Sequence, residues 1–504
     1  MQVVTLLTVG LLIRLIWVVY TQYTAEDAFI TFQFARRLAE GHGFTYNVGD
    51  PIYGTTTPLF TLLMAGWLLV TGQGEITFAA HFVDIIASVG SLVILYLILR
   101  RTNVPHLAQL LALGVLVISS KIYLIEMQGM ETPVVILLMM VSWYAVVADR
   151  PHWAGFFAGC LLWTRIDLVF WPVALIAVEM IFNFKNAVRM GVVTALTYLP
   201  WVVFASLYFG SPIPYTITAK WVVYGIPGPP LEIQLATILE YLSPFAFDRT
   251  FSFEAMLLAI GCITVGIAAW QAIRFGKNRA FLVLPLFGLL ETARLALSGA
   301  TFFSRYFHPL LWVVLILFAI GLASLWQTLS HRWSISAWIP RCLLAAGLVL
   351  MATQAVYRLN LSRFEQTYAN DGSIKMIGLW LNKNSAPNAT VYLEPLGYVG
   401  YYANRKMYDE IGLVTPRVVE LRLKGIDPKE YFHILWPDYV VLHCDDGLRL
   451  TKEPANQENR FADSYRKVAG FNPLNFDPDL PQPPSDIADI TRIACYDIWQ
   501  RIMP

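Results

Sequence analysis

Charge is scarce in this sequence, and its scarcity excludes an ordinary soluble domain. Only 14% of the 504 residues are Asp, Glu, Lys or Arg, whereas 57% are hydrophobic. Soluble domains carry roughly 25% charged residues. The hydrophobic residues form long runs without the alternation that a transmembrane β-barrel requires. Because lipid tolerates only helices and closed barrels, the runs predict a polytopic α-helical membrane protein.

Cysteine is rare as well, and its few positions limit the chemistry that can be expected of it. Cys160, Cys262 and Cys342 lie in apolar runs, where a thiol behaves as a small packing group. Cys444 and Cys495 are the only two in the polar C-terminal part. The formal net charge is +1, so the sequence gives no reason to predict a nucleic acid partner. We find no internal sequence repeat.

The apolar runs predict about eleven transmembrane helices. The first run is followed by no small-x-small cleavage site, which favours a retained helix over a signal peptide. The short run 58–72 is predicted to lie in the membrane interface, because a crossing there would move Arg100 and Arg101 outside. The predicted spans are 3–22, 77–99, 104–119, 132–148, 152–164, 168–183, 187–208, 254–273, 280–298, 306–326 and 338–357.

The connectors between the runs predict the orientation in the membrane. One set is short and basic, and by the positive-inside rule it faces the cytoplasm. Most acidic residues before residue 357 fall in the other set. This indicates a plasma-membrane protein with a cytoplasmic N-terminus and two long outer loops, 23–76 and 209–253. The basic connectors carry Arg100–Arg101, Arg150, Lys185 and Arg189, Arg274, Lys277 and Arg279, and Arg332 and Arg341.

The composition changes at about residue 358, where charged residues, Asn and Pro become more frequent. Alternating helix and strand patterns, with strands in ATVYLE and DYVVLH, predict a small α/β domain. We therefore expect a membrane module, 1–357, and an extracytoplasmic α/β domain, 358–504. A disulfide between Cys444 and Cys495 would close a loop of about 50 residues around the Pro-rich run NPLNFDPDLPQPPSD. Two separate buried thiols are the alternative.

The stretch TAEDAFITFQFARRLAEGHGFTYNVGDPIYGTTTPLF, residues 24–60, carries two adjacent acids, Glu26 and Asp27. They precede an amphiphilic helix that would lie in the membrane interface. One interpretation is structural: Thr24 as N-cap and Asp27 three residues later form a capping box. The other is functional, because the Gly, aromatic and hydroxyl residues that follow are typical of a cavity for a polyhydroxylated ligand.

These residues resemble the first outer loop of membrane glycosyltransferases of the GT-C superfamily. That loop has an acidic pair, an ARNLAEGHG-like stretch and a turn into a second interfacial helix. YFGSPIPYTITAK and FFSRYFHPLL resemble two further motifs of the group. The chain is most similar to the mycobacterial-type terminal arabinofuranosyltransferases and their bacterial relatives. The sequence departs from the pattern of that group at Arg37, where Asn is common, and at Pro214–Tyr215. The identity of the transferred sugar is therefore not predicted.

The resemblance implies a GT-C enzyme that transfers a sugar, with inversion, from a polyprenyl-phosphate donor to a cell-envelope glycan, lipid or protein. A carboxylate at the membrane surface would accept the proton of the attacking hydroxyl. We predict Asp27 as this base, with Glu26 supporting it or helping to orient the acceptor. Cations must hold the leaving phosphate, and the candidates are Arg165, Lys220 and Arg305. The predicted sugar and acceptor pocket comprises His42, Tyr53, Thr55, Thr56, Asp167, Tyr306 and His308.

Several of these residues have structural alternatives. Arg165 and Asp167 could pair with each other, and Arg305 could snorkel at a helix end. The i,i+3 spacing of Glu291 and Arg294 favours an ion pair. A divalent metal at Glu26 and Asp27, with His42 and His308, is the less favoured alternative, because no ligand spacing is diagnostic. No other cofactor is predicted.

Three other functions stay open at this point. One is a GT-C mannosyl- or aminoarabinosyltransferase that acts on lipid. Another is a transporter, which would show polar residues in mid-span and paired halves; neither is clear in the sequence. The third is a membrane scaffold that has lost catalysis. The predicted partners are the lipid-borne donor, the acceptor and membrane lipids.

Overall fold

The computed structural model describes residues 1–72, 74–225, 228–242, 279–298, 303–332, 338–451, 460–473 and 494–502. The chain divides into two compact units. The helical unit comprises Met1–Val19, Ala80–Val203 and Pro227–Leu359, and the mixed unit comprises Tyr20–Ala79, Phe204–Ile226 and Asn360–Pro504.

The α-helices follow the apolar runs of the sequence and then continue into the polar C-terminal part. In chain order they are α1 (Gln2–Thr21), α2 (Ala28–Ala39), α3 (Pro58–Thr71), α4 (Ile76–Arg101), α5 (His106–Ile118), α6 (Ser120–Glu126), α7 (Thr132–Val147), α8 (Pro151–Thr164), α9 (Phe170–Phe182), α10 (Phe184–Phe209), α11 (Tyr215–Tyr224), α12 (Leu231–Leu242), α13 (Val283–Leu297), α14 (Ser304–Arg332), α15 (Trp338–Phe364), α16 (Lys375–Asn384), α17 (Leu396–Ala403), α18 (Pro416–Leu423), α19 (Tyr431–Leu435), α20 (Cys444–Thr451) and α21 (Arg460–Ser464).

Among the described residues, five helical segments are long and apolar enough to cross a membrane: Gln2–Thr21, Ile76–Arg101, Phe184–Phe209, Arg279–Leu297 and Ser304–Gln327. Helices α5 and α6 add a sixth if the pair, bent by 57°, forms one span. Other apolar helices, such as α7 with 16 residues, are shorter than the roughly 20 residues of a full crossing. The predicted span 254–273 lies outside the described residues, so the number of eleven stays a prediction.

The helical unit packs around large aromatic side chains and small residues. Trp143, Trp171 and Trp312 are fully buried in its core. Helix α8 carries Gly155 and Gly159, and a Cβ at either position would clash with α10, at Met190 and at Thr197 respectively. Such small residues let helices approach closely, which is a common device for packing helices in membranes.

The mixed unit contains a five-stranded sheet within its described residues. Its strands are β1 (Thr390–Leu393), β2 (Lys406–Asp409), β3 (Tyr439–His443), β4 (Tyr465–Phe471) and β5 (Tyr496–Arg501), in the order β2-β1-β3-β5-β4. Strand β1 runs parallel to β2 and β3, and β5 runs antiparallel to β3 and β4. The helix and strand alternation predicted for the C-terminal part is therefore present.

The predicted disulfide between Cys444 and Cys495 is confirmed, with Cα atoms 5.5 Å apart. The sheet register explains the pairing. His443 of β3 lies opposite Tyr496 of β5 in the antiparallel ladder, so the next residue of one strand meets the preceding residue of the other. The Cys444 N–H also donates a hydrogen bond to the carbonyl of Cys495 at 3.0 Å. Most of the Pro-rich run lies outside the described residues.

Candidate active site

The acid pair Glu26–Asp27 forms a turn of the mixed unit just before α2. Helix α2 begins at Ala28, and Asp27 takes the N-cap position without a side-chain capping hydrogen bond. The first turn is closed by backbone carbonyls, including a bond from the N–H of Phe29 to the oxygen of Glu26 at 3.1 Å. The capping-box interpretation, which made Thr24 the N-cap, is therefore wrong. Capping does not explain why two acids stand here.

Glu26 is held by the start of α17. Its carboxylate accepts a hydrogen bond from the backbone N–H of Gly397, the second residue of that helix. The first N–H groups of a helix have no partner within the helix, so a carboxyl oxygen can accept a hydrogen bond from them. A Cβ at Gly397 would overlap the backbone carbonyl of Glu26. Only glycine therefore allows this close approach.

The carboxyl ends of the parallel strands bring further polar groups to the same region. Glu394 follows β1, Glu410 follows β2 and His443 ends β3. The hydroxyl of Tyr496 donates to Glu394 at 3.4 Å, and the Nε2 atom of His443 lies 3.8 Å from the same carboxylate. Ligands of open α/β sheets bind at this edge of the strands. The mixed unit therefore gathers acidic and aromatic groups around the acid pair.

The surroundings of Glu26 affect the pKa of its carboxyl group. Burial raises the pKa of the Glu26 carboxyl well above its usual value, and the negative charges of Asp27 and Glu394 raise it further. The hydrogen bond between Glu26 and Asp27 acts in the same direction, whereas the N–H of Gly397 opposes it. These surroundings favour the protonated form of Glu26, in which it can donate a hydrogen bond to Asp27.

Helix α11 carries the motif YTITAK and lies near the acidic groups around Glu26 and Asp27. Burial raises the pKa of Tyr224 to about 12, and the charges of Glu394, Asp27 and Glu410 contribute. Lys220 precedes Tyr224 by four residues and so lies on the same side of the helix. The motif YTITAK therefore presents Lys220 on the helix side that faces the acidic groups.

The predicted pocket residues of the first loop lie in the mixed unit, mostly in packed positions. Tyr53 is buried and stacks on Phe209 with ring centres 4.9 Å apart. The carbonyl of Tyr53 accepts a hydrogen bond from the N–H of Tyr215 at 2.9 Å, so the first loop joins the YFGSPIPYTITAK motif. Thr55 is buried, with its hydroxyl 3.2 Å from that of Thr57. Their role in binding sugar stays a prediction.

The other two first-loop candidates are more exposed. Thr56 is half-buried. The His42 side chain is 45% exposed and lies 3.8 Å from Glu40. In the described part of the chain, no group of three or more His, Cys, Asp or Glu side chains is placed to hold a metal ion.

Arg165 and Asp167 form a two-pronged ion pair in the helical unit. Arg165 Nε lies 2.9 Å from one carboxylate oxygen of Asp167 and Nη2 lies 2.5 Å from the other. Its Nη1 is 3.6 Å from Glu131, and its guanidinium carbon lies 4.4 Å from the centre of the Tyr306 ring. The ion-pair alternative is therefore observed. A role of Arg165 in binding the donor phosphate stays a prediction.

The network continues to Arg294. Its side chain bonds Glu291 at 2.5 and 3.0 Å and lies 3.9 Å from Asp167. The ion pair predicted from the i,i+3 spacing is confirmed. Arg305 lies 5.6 Å from the ring of Tyr306, and its role as a phosphate ligand stays a prediction.

A second buried network is centred on Glu126 in the helical unit; the sequence analysis named His308 as a pocket residue but missed the Glu126 network to which it belongs. The carboxylate lies 2.8 Å from Trp312 Nε1, 3.1 Å from His308 Nε2 and 3.5 Å from Arg14 Nη2, and it also bonds Ser88. Glu126, His308 and Arg14 are fully buried. A signal was present in the run LLIRLIW, since an Arg within an apolar span marks a functional candidate by default.

The geometry described so far is that of a helical membrane protein with an acid pair just before a short amphiphilic helix. Its fold is that of the GT-C glycosyltransferases, as predicted. ArnT from Cupriavidus metallidurans, solved with bound undecaprenyl phosphate, matches with a TM-score of 0.59 and 11% identity, over 90% of this chain and 95% of ArnT. Identity this low establishes the fold alone.

Two further solved structures have the same fold. The oligosaccharyltransferase of Archaeoglobus fulgidus, tethered to an acceptor peptide, matches with a TM-score of 0.53 and 13% identity, over 88% of this chain and 69% of that one. The arabinofuranosyltransferase AftD from Mycobacteria matches with a TM-score of 0.51 and 14% identity, over 100% of this chain but 40% of AftD. Residues 359–492 match a domain of unknown function, DUF8728. No curated protein matches the chain.

Proposed function

We propose that this protein is an inverting membrane glycosyltransferase of the GT-C type. It transfers arabinofuranose, or another pentose or hexose, from a polyprenyl-phosphate donor to a glycan, lipid or protein of the cell envelope, on the outer face of the membrane. The observation that carries the proposal is the acid pair, in which Glu26 is held by the N–H of Gly397 in α17, beside Asp27, and its surroundings favour the protonated form. The undecaprenyl phosphate bound to ArnT and the acceptor peptide on the oligosaccharyltransferase support the donor and acceptor types.

The chemistry uses the difference between the two acids. An acceptor hydroxyl attacks the anomeric carbon from the face opposite the phosphate, and Asp27 takes its proton. The bond between that carbon and the phosphate oxygen breaks, so the configuration inverts and the polyprenyl phosphate leaves. Glu26 holds Asp27 in position through its hydrogen bond. Lys220 stabilises the phosphate as its negative charge increases, and Arg165 and Arg305 are the further predicted phosphate ligands.

Mass spectrometry of lipids that copurify with the protein tests the proposal directly. We expect a polyprenyl phosphate that carries one sugar, and its fragmentation identifies the sugar. Incubation with a cell-envelope extract should release the sugar from that lipid. Recovery of bulk phospholipids alone, together with no sugar release from added polyprenyl-phosphate sugars, would contradict a glycosyltransferase and favour the scaffold alternative.

We place residues 358–504 outside the cytoplasm, as the charge pattern predicts. Two observations support this side. The first predicted outer loop, residues 209–226 of the second and the C-terminal segment all contribute to the mixed unit, and the disulfide Cys444–Cys495 suits an oxidising compartment. A green fluorescent protein fused after Pro504 should therefore be dark and an alkaline phosphatase active. When the same reporters are fused after Arg150 in a truncated chain, the green fluorescent protein should be bright and the alkaline phosphatase inactive. Bright fluorescence at the C-terminus would reverse the topology.

Replacement of Glu394 by Gln is expected to shift the alkaline limb of the pH–rate profile to lower pH. The negative charge of Glu394 is one cause of the raised pKa of Glu26, after burial and Asp27. Without that charge, Glu26 ionises more easily, so its pKa falls. Glu26 must keep its proton to donate to Asp27, and activity is then lost at a lower pH.

A matched control for this shift is Glu420→Gln, because Glu420 is an exposed acid of the same unit, 2.8 Å from Arg417. Its pH–rate profile should equal that of the unmodified protein. An alkaline limb that stays in place in Glu394→Gln would show that the protonation of Glu26 does not control the rate.

A further inference from the structure

A cavity of about 690 Å³ opens in the mixed unit, at the end of α2 remote from the acid pair. Small-molecule sites typically occupy about 300–1,000 Å³, so the cavity can hold a ligand of that size. It is lined by Arg36, Ala39, Glu40, Leu68, Leu69, Gly72, Tyr401 and Asn404.

The C-terminal ends of three helices meet at this cavity. Helix α2 ends with Glu40 as its C-cap, α3 with Gly72 and α17 with Asn404. The ends of helices carry carbonyl groups without helical partners and a partial negative charge. The carboxylate of Glu40 adds further negative charge to the lining of the cavity. The lining therefore accepts hydrogen bonds and disfavours an anionic ligand.

The terminal nitrogens of the two nearby arginines are engaged by the protein, whereas the Nε of each makes no hydrogen bond within the described part of the chain. Arg36 Nη1 donates to the carbonyl of Tyr401 at 3.0 Å, and its guanidinium lies 4.3 Å over the Tyr401 ring. Arg37 pairs with Glu40 at 2.9 Å and donates to Asn404 at 2.6 Å. These arginines neutralise helix ends and one carboxylate, which leaves little attraction for a phosphate. The polar side of the cavity favours an uncharged headgroup rich in hydroxyl donors.

The other side of the cavity is apolar and belongs to α3. Leu68 and Leu69 line it, and the same helix exposes Leu63 at 45%, Leu69 at 67% and Val70 at 87%. An exposed apolar helix face of this kind is typical of a segment that lies in a membrane interface. A ligand that fits both sides must therefore be amphiphilic.

We propose that this cavity binds a glycolipid, with its hydroxyl-rich headgroup against Arg36, Glu40 and Asn404 and its chain along Leu68 and Leu69. The inference rests on the proposed function: if the protein transfers a sugar, the glycolipid bound in this cavity is the acceptor. Asp27 and Arg36 mark the two ends of α2, about 14 Å apart along a helix. The hydroxyl that reacts at Asp27 then belongs to a part of the headgroup that extends beyond the ring held in the cavity.

Photo-crosslinking tests this site without any sugar transfer. The probe is an alkyl glucoside with a diazirine in its chain, added to the full-length protein in phosphatidylcholine nanodiscs without donor. We expect labelled peptides that contain Leu68–Gly72, and competition by monoglucosyl diacylglycerol but not by phosphatidylglycerol. Leu69→Trp adds bulk at the apolar side of the cavity. Val70→Trp is the matched control, since Val70 is a neighbour on the same helix but does not line the cavity.

We expect the labelling of Leu69→Trp to fall about tenfold or more, which corresponds to about 1.4 kcal/mol, and that of Val70→Trp to change by less than about twofold. Equal unfolding temperatures show that both variants fold. Labelling of Leu69→Trp at the level of the unmodified protein, or displacement by phosphatidylglycerol as strong as by the glycolipid, would overturn the proposal. Because no donor is present, a negative result here leaves the transfer reaction itself untouched, and a protein without transfer activity can still bind the probe.

Discussion

Replacement of Asp27 by Asn is expected to reduce the rate of sugar transfer about 10²- to 10⁴-fold, the usual contribution of a general base. The amide keeps the shape of the side chain but cannot accept the proton of the acceptor hydroxyl. The affinity for the donor should change little, because the phosphate is held by cations. Initial rates with a polyprenyl-phosphate sugar in nanodiscs, and donor binding in the same preparation, separate the two effects.

Glu26→Gln separates the roles of the two acids. A glutamine can still accept the hydrogen bond from Gly397 and donate one to Asp27, so we expect a smaller loss than in Asp27→Asn. Asp50→Asn is a control in the same loop, because Asp50 is a half-buried acid paired with Lys406 at 2.8 Å; the rate of this variant should be unchanged. Activity retained in Asp27→Asn but lost in Glu26→Gln would make Glu26 the base. Activity retained in both would remove the acid pair from the mechanism.

The parts of the fold that could be predicted are those with a local signal. A block of hydrophobic residues between turn residues predicts a strand wherever it occurs, and β1 and β3 lie where ATVYLE and DYVVLH stand. The pairing of Cys444 with Cys495 followed because the polar C-terminal part offers no other cysteine. The i,i+3 pair Glu291–Arg294 follows from helical spacing alone.

The surroundings of the acid pair had no such local signal. Gly397 and Glu394 follow Glu26 by more than 360 positions, and their approach depends on how α17 packs against α2. The capping box was a reasonable local prediction, but the backbone carbonyls close the first turn of α2 without it. The raised pKa of Glu26 comes from burial, from the adjacent Asp27 and from Glu394, which is distant in sequence. Tertiary packing therefore decides the chemistry that the motif suggests.

The effect of replacing Arg165 shows whether this residue stabilises the fold or binds the donor phosphate. Arg165→Met is expected to lower the free energy of unfolding by about 3–5 kcal/mol, the usual cost of removing one partner of a buried ion pair. The Arg165 and Glu131 side chains are 4% and 3% exposed, and Asp167 is 22% exposed. The substitution leaves both carboxylates without their main cation, because Arg294 lies 3.9 Å from Asp167 and is already bonded to Glu291.

Unfolding in denaturant, followed by tryptophan fluorescence in detergent, measures this loss. A second substitution should recover part of it: Arg165→Met with Asp167→Leu removes one of the two uncompensated charges and should be more stable than Arg165→Met alone. Arg417→Met is the surface control, since its pair with Glu420 is about half exposed and such pairs contribute about 0–1 kcal/mol. If Arg165→Met instead unfolds like the unmodified protein and binds the donor weakly, Arg165 serves the donor phosphate and its pair with Asp167 contributes little to the fold.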